Sequence, residues 1–480
     1  MRRLTASLVA LLGLVVASPA YAAATVAPIR SPFIGGPVFA GERIAWAAPA
    51  TGGGYDVNTQ EPDGSGVVTQ HVPAPGVPPR SASLLRLEAS GQRVGLGIDA
   101  FRCEVSDCHT MVTEPSYRGR LSAPPGQPLQ PVGSGCTSRD DCAGPHYCRS
   151  TPLVDVYADA MAYSSCAATL VVHDFAPGAS PVEREFSDAD QGRLAGSMAA
   201  ARLPAAVLGG HDQVAVRNWR TGAELYRFEI AYQFDVQDDG KLAFIRQVPH
   251  PHTTRYEIDW ASPSEPVPHP VATVDDPVSV LRIAGNRIAF MVGDGLLGQP
   301  NLQVRSLDGT LVASAPANAS AGGLDFDGTR ATWAEEPCKI VSILTWDLPG
   351  AAPSVPHNCP PARALTRRAR IAHHHKLRLK LSCMPDPRLG CTGDVTVTAL
   401  TKAHHHPRQV LAKNLYSLDP GIKRTLKLGL GKRRFCADRK GKVRARVTTT
   451  AYDRAIGGQG ASRSHVLRLR GPGLRKARCT

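Results

Sequence analysis

Along residues 31–360 the chain repeats one short phrase of polar and apolar positions: turn residues, a basic or polar residue, then a short apolar run. Clear copies are Gly41-Glu42-Arg43-Ile44-Ala45-Trp46, Gly91-Gln92-Arg93-Val94-Gly95-Leu96 and Asp239-Gly240-Lys241-Leu242-Ala243-Phe244. Two more are Gly285-Asn286-Arg287-Ile288-Ala289-Phe290 and Gly328-Thr329-Arg330-Ala331-Thr332-Trp333. Weaker copies start at Asp159 and at Gly192. Most are followed, after a loop, by a second run alternating with period two, such as Val214–Trp219, Tyr256–Trp260, Leu302–Arg305 and Ile343–Asp347. A turn (Thr221-Gly222, Asp308-Gly309) and a third short run such as Leu225–Ile230 often come next. Apolar and polar residues alternating between Gly, Asn and Asp turns predict half-buried strands. Only the stretch from Asp188 to Ala200 approaches a helical period.

From Gly192 onward the copies start about 47, 46 and 43 residues apart. That is the period of a four-stranded propeller blade, and a closed ring leaves no long exposed strand edge. Seven copies predict a seven-bladed propeller over 31–350; the alternative is a pair of β-sandwiches. The runs Asp238–Phe244 with Arg255–Trp260, and Ala284–Phe290 with Leu302–Thr310, resemble the blades of TolB-like and WD40-like secreted β-propellers. The resemblance covers about two-thirds of the chain. It implies the fold, and fold alone does not carry function. The copies here lack the family's Ser-Pro-Asp-Gly turn, and a Cys-rich insertion near 136–148 interrupts the second and third blades.

A Pro-rich linker is expected at 351–364, and the pattern changes after it. Leu377, Leu379 and Leu381 alternate with Lys376, Arg378 and Lys380. Val443, Ala445, Val447, Leu467 and Leu469 alternate with Arg444, Arg446, Arg468 and Arg470. Six such runs predict an antiparallel β-sandwich over 365–480, apolar inside and basic outside. This segment resembles the small immunoglobulin-like modules at the ends of exported bacterial proteins. The fold class expected is therefore all-β: a propeller followed by a disulfide-bonded sandwich.

Charge sharpens the division. Formal net charge is +14, but residues 361–480 hold 29 Lys+Arg against 5 Asp+Glu, leaving 26 against 36 for the rest. An acidic body thus carries a very basic end. Residues 1–22 read as a cleaved secretory signal: Arg2 and Arg3, an apolar run too short to span a bilayer, then Ala20-Tyr21-Ala22. No transmembrane segment is expected. The address is then secreted, periplasmic or cell-wall associated, and 12 cysteines suit an oxidising compartment. Local pairs are expected at Cys103/Cys108, Cys338/Cys359, Cys383/Cys391 and Cys436/Cys479. Connectivity among Cys136, Cys142, Cys148 and Cys166 is open, since four cysteines allow three pairings.

No nucleophile elbow, zinc-protease helix, Walker loop or kinase motif is present, so no catalytic residue and no cofactor is assigned. Asp235, Asp238 and Asp239, and Asp325 and Asp327, read as Asp-Gly turns rather than calcium loops. Asp212, Asp259 and Asp347 lie near expected strand ends. The triplets His373-His374-His375 and His404-His405-His406 are weak metal candidates in loops. The stronger candidate is an anion-binding face of Lys376, Arg378, Lys380, Arg444, Arg446, Arg468 and Arg470. Its partners would be anionic envelope polymers. Aromatic residues for base stacking are scarce there, which argues against nucleic acid. The expected function is a non-enzymatic binding or scaffold protein with a protein or glycan ligand at the propeller. One rival is a propeller hydrolase or lyase acting on polysaccharide, which needs carboxylates or histidines converging at the central channel. Another is a structural module of a surface assembly.

Overall fold

The structure, a computed structural model, describes residues 35–50, 53–73, 83–102, 110–113, 116–120, 129–132, 154–164, 169–175, 183–205, 210–231, 233–249, 254–293, 301–317, 323–335, 338, 341–353, 359–371, 376–384, 390–400, 410–430, 435–436, 443–452, 459–471 and 476–477. The expected signal, the Cys-rich insertion, both histidine triplets and Cys103, Cys108, Cys166 and Cys479 lie outside the described residues.

Among the described residues the regular elements are strands. Seven antiparallel sheets follow one another, spanning 35–72, 83–132, 154–186, 191–230, 234–274, 278–316 and 324–347. Five have four strands in chain order, the second has five, and the seventh has three. The recurring Gly-x-Arg phrase is the hairpin between the first and second strand of a sheet. Ala40 faces Arg43, Ser90 faces Arg93 and Ala284 faces Arg287. Two-residue loops of this kind need φ > 0, and Gly41, Gly91 and Gly285 supply φ of 65°, 56° and 61°.

Each buried cluster joins two neighbouring sheets. Val38, Ala45 and Val57 of the first pack with Leu87, Leu96 and Ile98 of the second. Ala289 and Val304 of the sixth pack with Leu324 and Trp333 of the seventh. Phe39, Ile44 and Trp46 of the first pack with Ala334, Val341 and Ile343 of the seventh. The first strands of neighbouring sheets touch all the way round, the seventh returning to the first. This closed ring of radial sheets is a β-propeller, with the first strands lining its axis.

Two sequence readings need correction in the fourth sheet. Gly192–Ala195 belongs to a first strand, Gln191–Ala195, and the phrase itself starts four residues later at Gly196 and runs into Met198–Leu203. The stretch with helical character is these two strands. Ala199, Ala200 and Ala201 are all fully buried, because the strand is covered on both faces, and such runs show no period-two signal.

After the propeller, a three-stranded sheet (363–364, 376–382, 423–429) and a five-stranded sheet (368–370, 459–470, 443–452, 391–399, 410–418) enclose one core. Leu377, Leu379 and Leu381 meet Val443, Val447, Leu467 and Leu469 there. The expectation of purely antiparallel pairing fails at the edge, where Arg368–Arg370 runs parallel to Arg468–Arg470. Parallel pairing lets this short strand enter beside the basic end of the sheet without a hairpin.

Among the described residues two disulfides form, Cys338–Cys359 and Cys383–Cys391. The first ties the seventh sheet to the chain entering the second module and packs on Ala451. Beside it Gly390 N–H donates to the Cys338 carbonyl at 2.7 Å. Thr449 Oγ1 donates to the Ala362 carbonyl at 2.6 Å, and Ala362 N–H donates to Tyr416 Oη at 3.2 Å. The end of the expected linker is therefore bonded to both modules. Among the described residues no helix is long and apolar enough to cross a membrane.

Replacing Cys338 and Cys359 together by serine should cost about 3 kcal/mol, from the freed chain between them. Limited proteolysis within 351–364 should accelerate. Unchanged cleavage would show that the hydrogen bonds alone hold the junction.

Candidate functional site

The first strands carry a charged residue at one recurrent position, seven residues before a small residue on the second strand (eight at Asp235). Glu88 faces Gly95, Asp155 faces Ala162, and Arg193 faces Ala200. Asp235 faces Ala243, Arg282 faces Ala289, and Asp325 faces Thr332. In the first sheet the position is Val38, facing Ala45. Directly opposite residues share a face, so a small partner leaves room for the charged side chain. Six consecutive sheets thus bring four carboxyl groups and two guanidinium groups to the axis.

The three aspartates act alike. Asp155 Oδ2 accepts from Leu194 N–H at 2.7 Å, and Asp235 Oδ2 accepts from Ile283 N–H at 2.9 Å. Asp325 Oδ2 accepts from Phe39 N–H at 2.7 Å, across the junction of seventh and first sheets. Each aspartate therefore staples its own sheet to the next. Glu88 has one more methylene and reaches across the ring. Its Oε1 accepts from Arg193 Nη1 at 2.5 Å and from Arg282 Nη2 at 3.0 Å, linking residues 105 and 194 positions apart.

Burial alone would raise the Glu88 pKa, but Arg193 and Arg282 outweigh it and hold the group below its ordinary range. Asp155 goes the other way. Burial pushes it up to about 7 despite Arg193, with Glu88 adding to the rise. Burial likewise raises Asp325 to about 6, and raises Asp235. One cluster thus holds a glutamate whose charged form is favoured beside three aspartates whose protonated forms are favoured. Burial disfavours the charge of Arg193, but Glu88, Asp155 and Asp235 more than restore it.

The cluster lines a cavity of about 310 Å³, whose mouth is formed by the hairpins at Ser90, Tyr157, Gln237 and Gly285. Gln237 Nε2 donates to the Gly285 carbonyl at 2.8 Å, joining two hairpins at that mouth. Among the described residues no group of three His, Cys, Asp or Glu side chains is placed to hold a metal ion.

Sequence reasoning placed Asp235 and Asp325 in turns with their neighbours, and the structure separates them. Asp239 and Asp327 are turn residues, accepting from Lys241 N–H at 2.9 Å and Thr329 N–H at 2.8 Å. Asp235 and Asp325 sit in three-residue strands facing the axis. Asp212, Asp259 and Asp347 are not brought together. Asp259 lies inside the strand Thr254–Ala261, fully buried against Arg246 at 2.6 Å. Glu88, Asp155, Arg193 and Arg282 were missed altogether. Their signal is a charged residue between apolar ones just before the hairpin, as in Val154-Asp155-Val156, Leu281-Arg282-Ile283 and Leu324-Asp325-Phe326.

The basic residues of the second module are divided between two surfaces. Lys376, Arg378 and Lys380 are exposed on the three-stranded sheet. Arg444, Arg446, Arg468 and Arg470 are exposed on the five-stranded sheet, on the far side of the shared core.

Two outcomes follow for the axial cluster. Glu88→Gln leaves two buried guanidinium groups short of a counter-charge and should cost about 3–5 kcal/mol in chemical denaturation. The raised aspartates favour the native state below their unfolded pKa, and that contribution is lost as pH rises through about 6 to about 7. Asp155→Asn should therefore lose less stability between pH 5 and pH 8 than the parent protein. An equal loss would contradict a proton held by Asp155.

No protein-family model matches the chain, and no curated protein matches it. Among solved structures it is similar to TolB from Acinetobacter baumannii, with 12% identity over 64% of this chain and 64% of that one, and a TM-score of 0.33. It is similar to BamB from Moraxella catarrhalis, with 12% identity over 64% of this chain and 82% of that one, and a TM-score of 0.33. A third is the polysaccharide lyase Uly1, with 12% identity over 66% of this chain and 90% of that one, and a TM-score of 0.41. The β-propeller fold is shown by the closed ring of sheets itself.

Proposed function

We propose that this is an exported, non-enzymatic binding or scaffold protein. Its propeller presents the hairpin-rimmed cavity to a protein or glycan ligand, and its basic module associates with anionic polymers of the cell envelope. The observation that carries the reading is the outer face of the five-stranded sheet. Arg368 is in register with Arg468, and Arg468 with Arg444, so three arginines stand side by side on adjacent strands. Like charges directly opposite each other destabilise a sheet, and a bound polyanion relieves that repulsion. At the propeller axis, each aspartate has an oxygen committed to a neighbouring backbone, and Glu88 is committed to two arginines. Those bonds favour a structural use of the cluster over acid–base turnover. The two disulfides suit an exported chain.

A second reading is favoured by one observation. Glu88 and Asp155 are pushed in opposite directions within one cavity, as an enzyme's base and acid are. It assigns Asp155 as general acid in a hydrolase or lyase acting on extracellular polysaccharide.

The full-length protein should be retained by purified anionic envelope polymer at low salt and released as salt rises. Equal retention at both would contradict the electrostatic association. Incubation with neutral and acidic polysaccharides should yield no cleaved product. Product formed by the parent protein and lost in Asp155→Asn would establish the second reading instead.

A further inference from the structure

The basic module has two cationic faces that look in opposite directions. On the five-stranded sheet, Arg368, Arg370, Arg444, Arg446, Arg468 and Arg470 are all exposed. On the three-stranded sheet, Lys376, Arg378 and Lys380 are exposed, with Lys427 directly across from Arg378 and Lys423 across from Ser382. Between the sheets lies the apolar core, with Leu377, Leu379 and Leu381 on one side and Val443, Val447, Leu467 and Leu469 on the other. Packed sheets lie about 10 Å apart, so one flexible side chain cannot serve both faces.

Among the described residues, none of these exposed arginines and lysines is ion-paired to a carboxylate. Among the described residues, Asp394 lies on the outer side of the five-stranded sheet, paired with Lys413 at 3.1 Å. It stands opposite Thr450, six residues along the strand from Arg444. Side chains on one face repeat roughly every 6–7 Å along a strand and about 4.8 Å between strands. The Arg368–Arg468–Arg444 row and its neighbours thus form a two-dimensional array of forked donors. Guanidinium groups bind phosphate oxygens in pairs, and ammonium groups bind them as point charges. Among the described side chains Tyr416 is buried, so the described part of both faces offers charge and no aromatic ring for stacking.

We propose that the module is bivalent: each face takes a separate linear phosphate polymer, so that one protein molecule bridges two chains. This rests on the polyanion-binding reading above and goes beyond it, because a single basic face would hold the protein in place without cross-linking anything. The arginine face supplies paired hydrogen bonds, and the lysine-rich face supplies a second, more salt-sensitive contact.

The test uses the full-length protein and short inorganic polyphosphate chains, one population immobilised and a second fluorescently labelled. Protein loaded on the immobilised chains should capture the labelled ones. The triple variants R444Q/R446Q/R468Q and K376Q/R378Q/K380Q should each still load, with second-chain capture falling at least tenfold. All six substitutions are at exposed positions, and the two variants control for each other's folding. Loading without second-chain capture by the parent protein would overturn bivalency while leaving polymer binding intact. Undiminished capture by either variant would also overturn it. Failure of the parent protein to load would remove both this inference and the polymer-binding reading. Capture of polygalacturonate as strong as that of polyphosphate would overturn the assignment to phosphate.

Discussion

The propeller depends on one carboxylate shared by two arginines. Glu88 reaches over the axis to Arg193 and Arg282, drawing the second, fourth and sixth sheets together. The three aspartates then join the third to the fourth, the fifth to the sixth, and the seventh to the first. Charged spokes and short staples alternate, and every sheet takes part in at least one. Buried ion pairs often add little net stability over apolar packing. Their effect here is on geometry, since they tie the inner strands of non-adjacent sheets to one point on the axis.

The same arrangement gives the cavity its character. A floor of four carboxyl groups and two guanidinium groups is formally anionic when all are ionised. Each aspartate that takes up a proton removes one negative charge, and burial brings that step to about pH 7 at Asp155 and about pH 6 at Asp325. A ligand entering between the hairpins therefore meets a floor whose charge depends on pH near neutrality. The second module works by the opposite means. Its charges are exposed and open to salt, and its core is conventionally apolar.

The alternation of Leu377 to Leu381 with Lys376 to Lys380 was legible in the sequence because one sheet face is wet and the other dry. The Gly-x-Arg hairpins were legible because their turns require φ > 0. The innermost strands were not. At three residues, Phe234–Val236 and Leu324–Phe326 are too short for any period, and a central aspartate in such a run looks like part of a turn. The alanines of Met198–Leu203 hid a strand that is covered on both faces. The meeting of Glu88 with Arg282 spans 194 residues, so it exists only once the ring has closed. The two disulfides followed from proximity in sequence, at separations of 21 and 8.

Hydrogen exchange at three backbone amides tests the ring most directly. Leu194, Ile283 and Phe39 each donate to an aspartate of the preceding sheet. If Glu88 fixes the whole ring, Glu88→Gln should accelerate exchange at all three together, although Phe39 bonds to neither arginine that Glu88 holds. Faster exchange confined to Leu194 and Ile283, with Phe39 unchanged, would show independent local contacts and contradict the account.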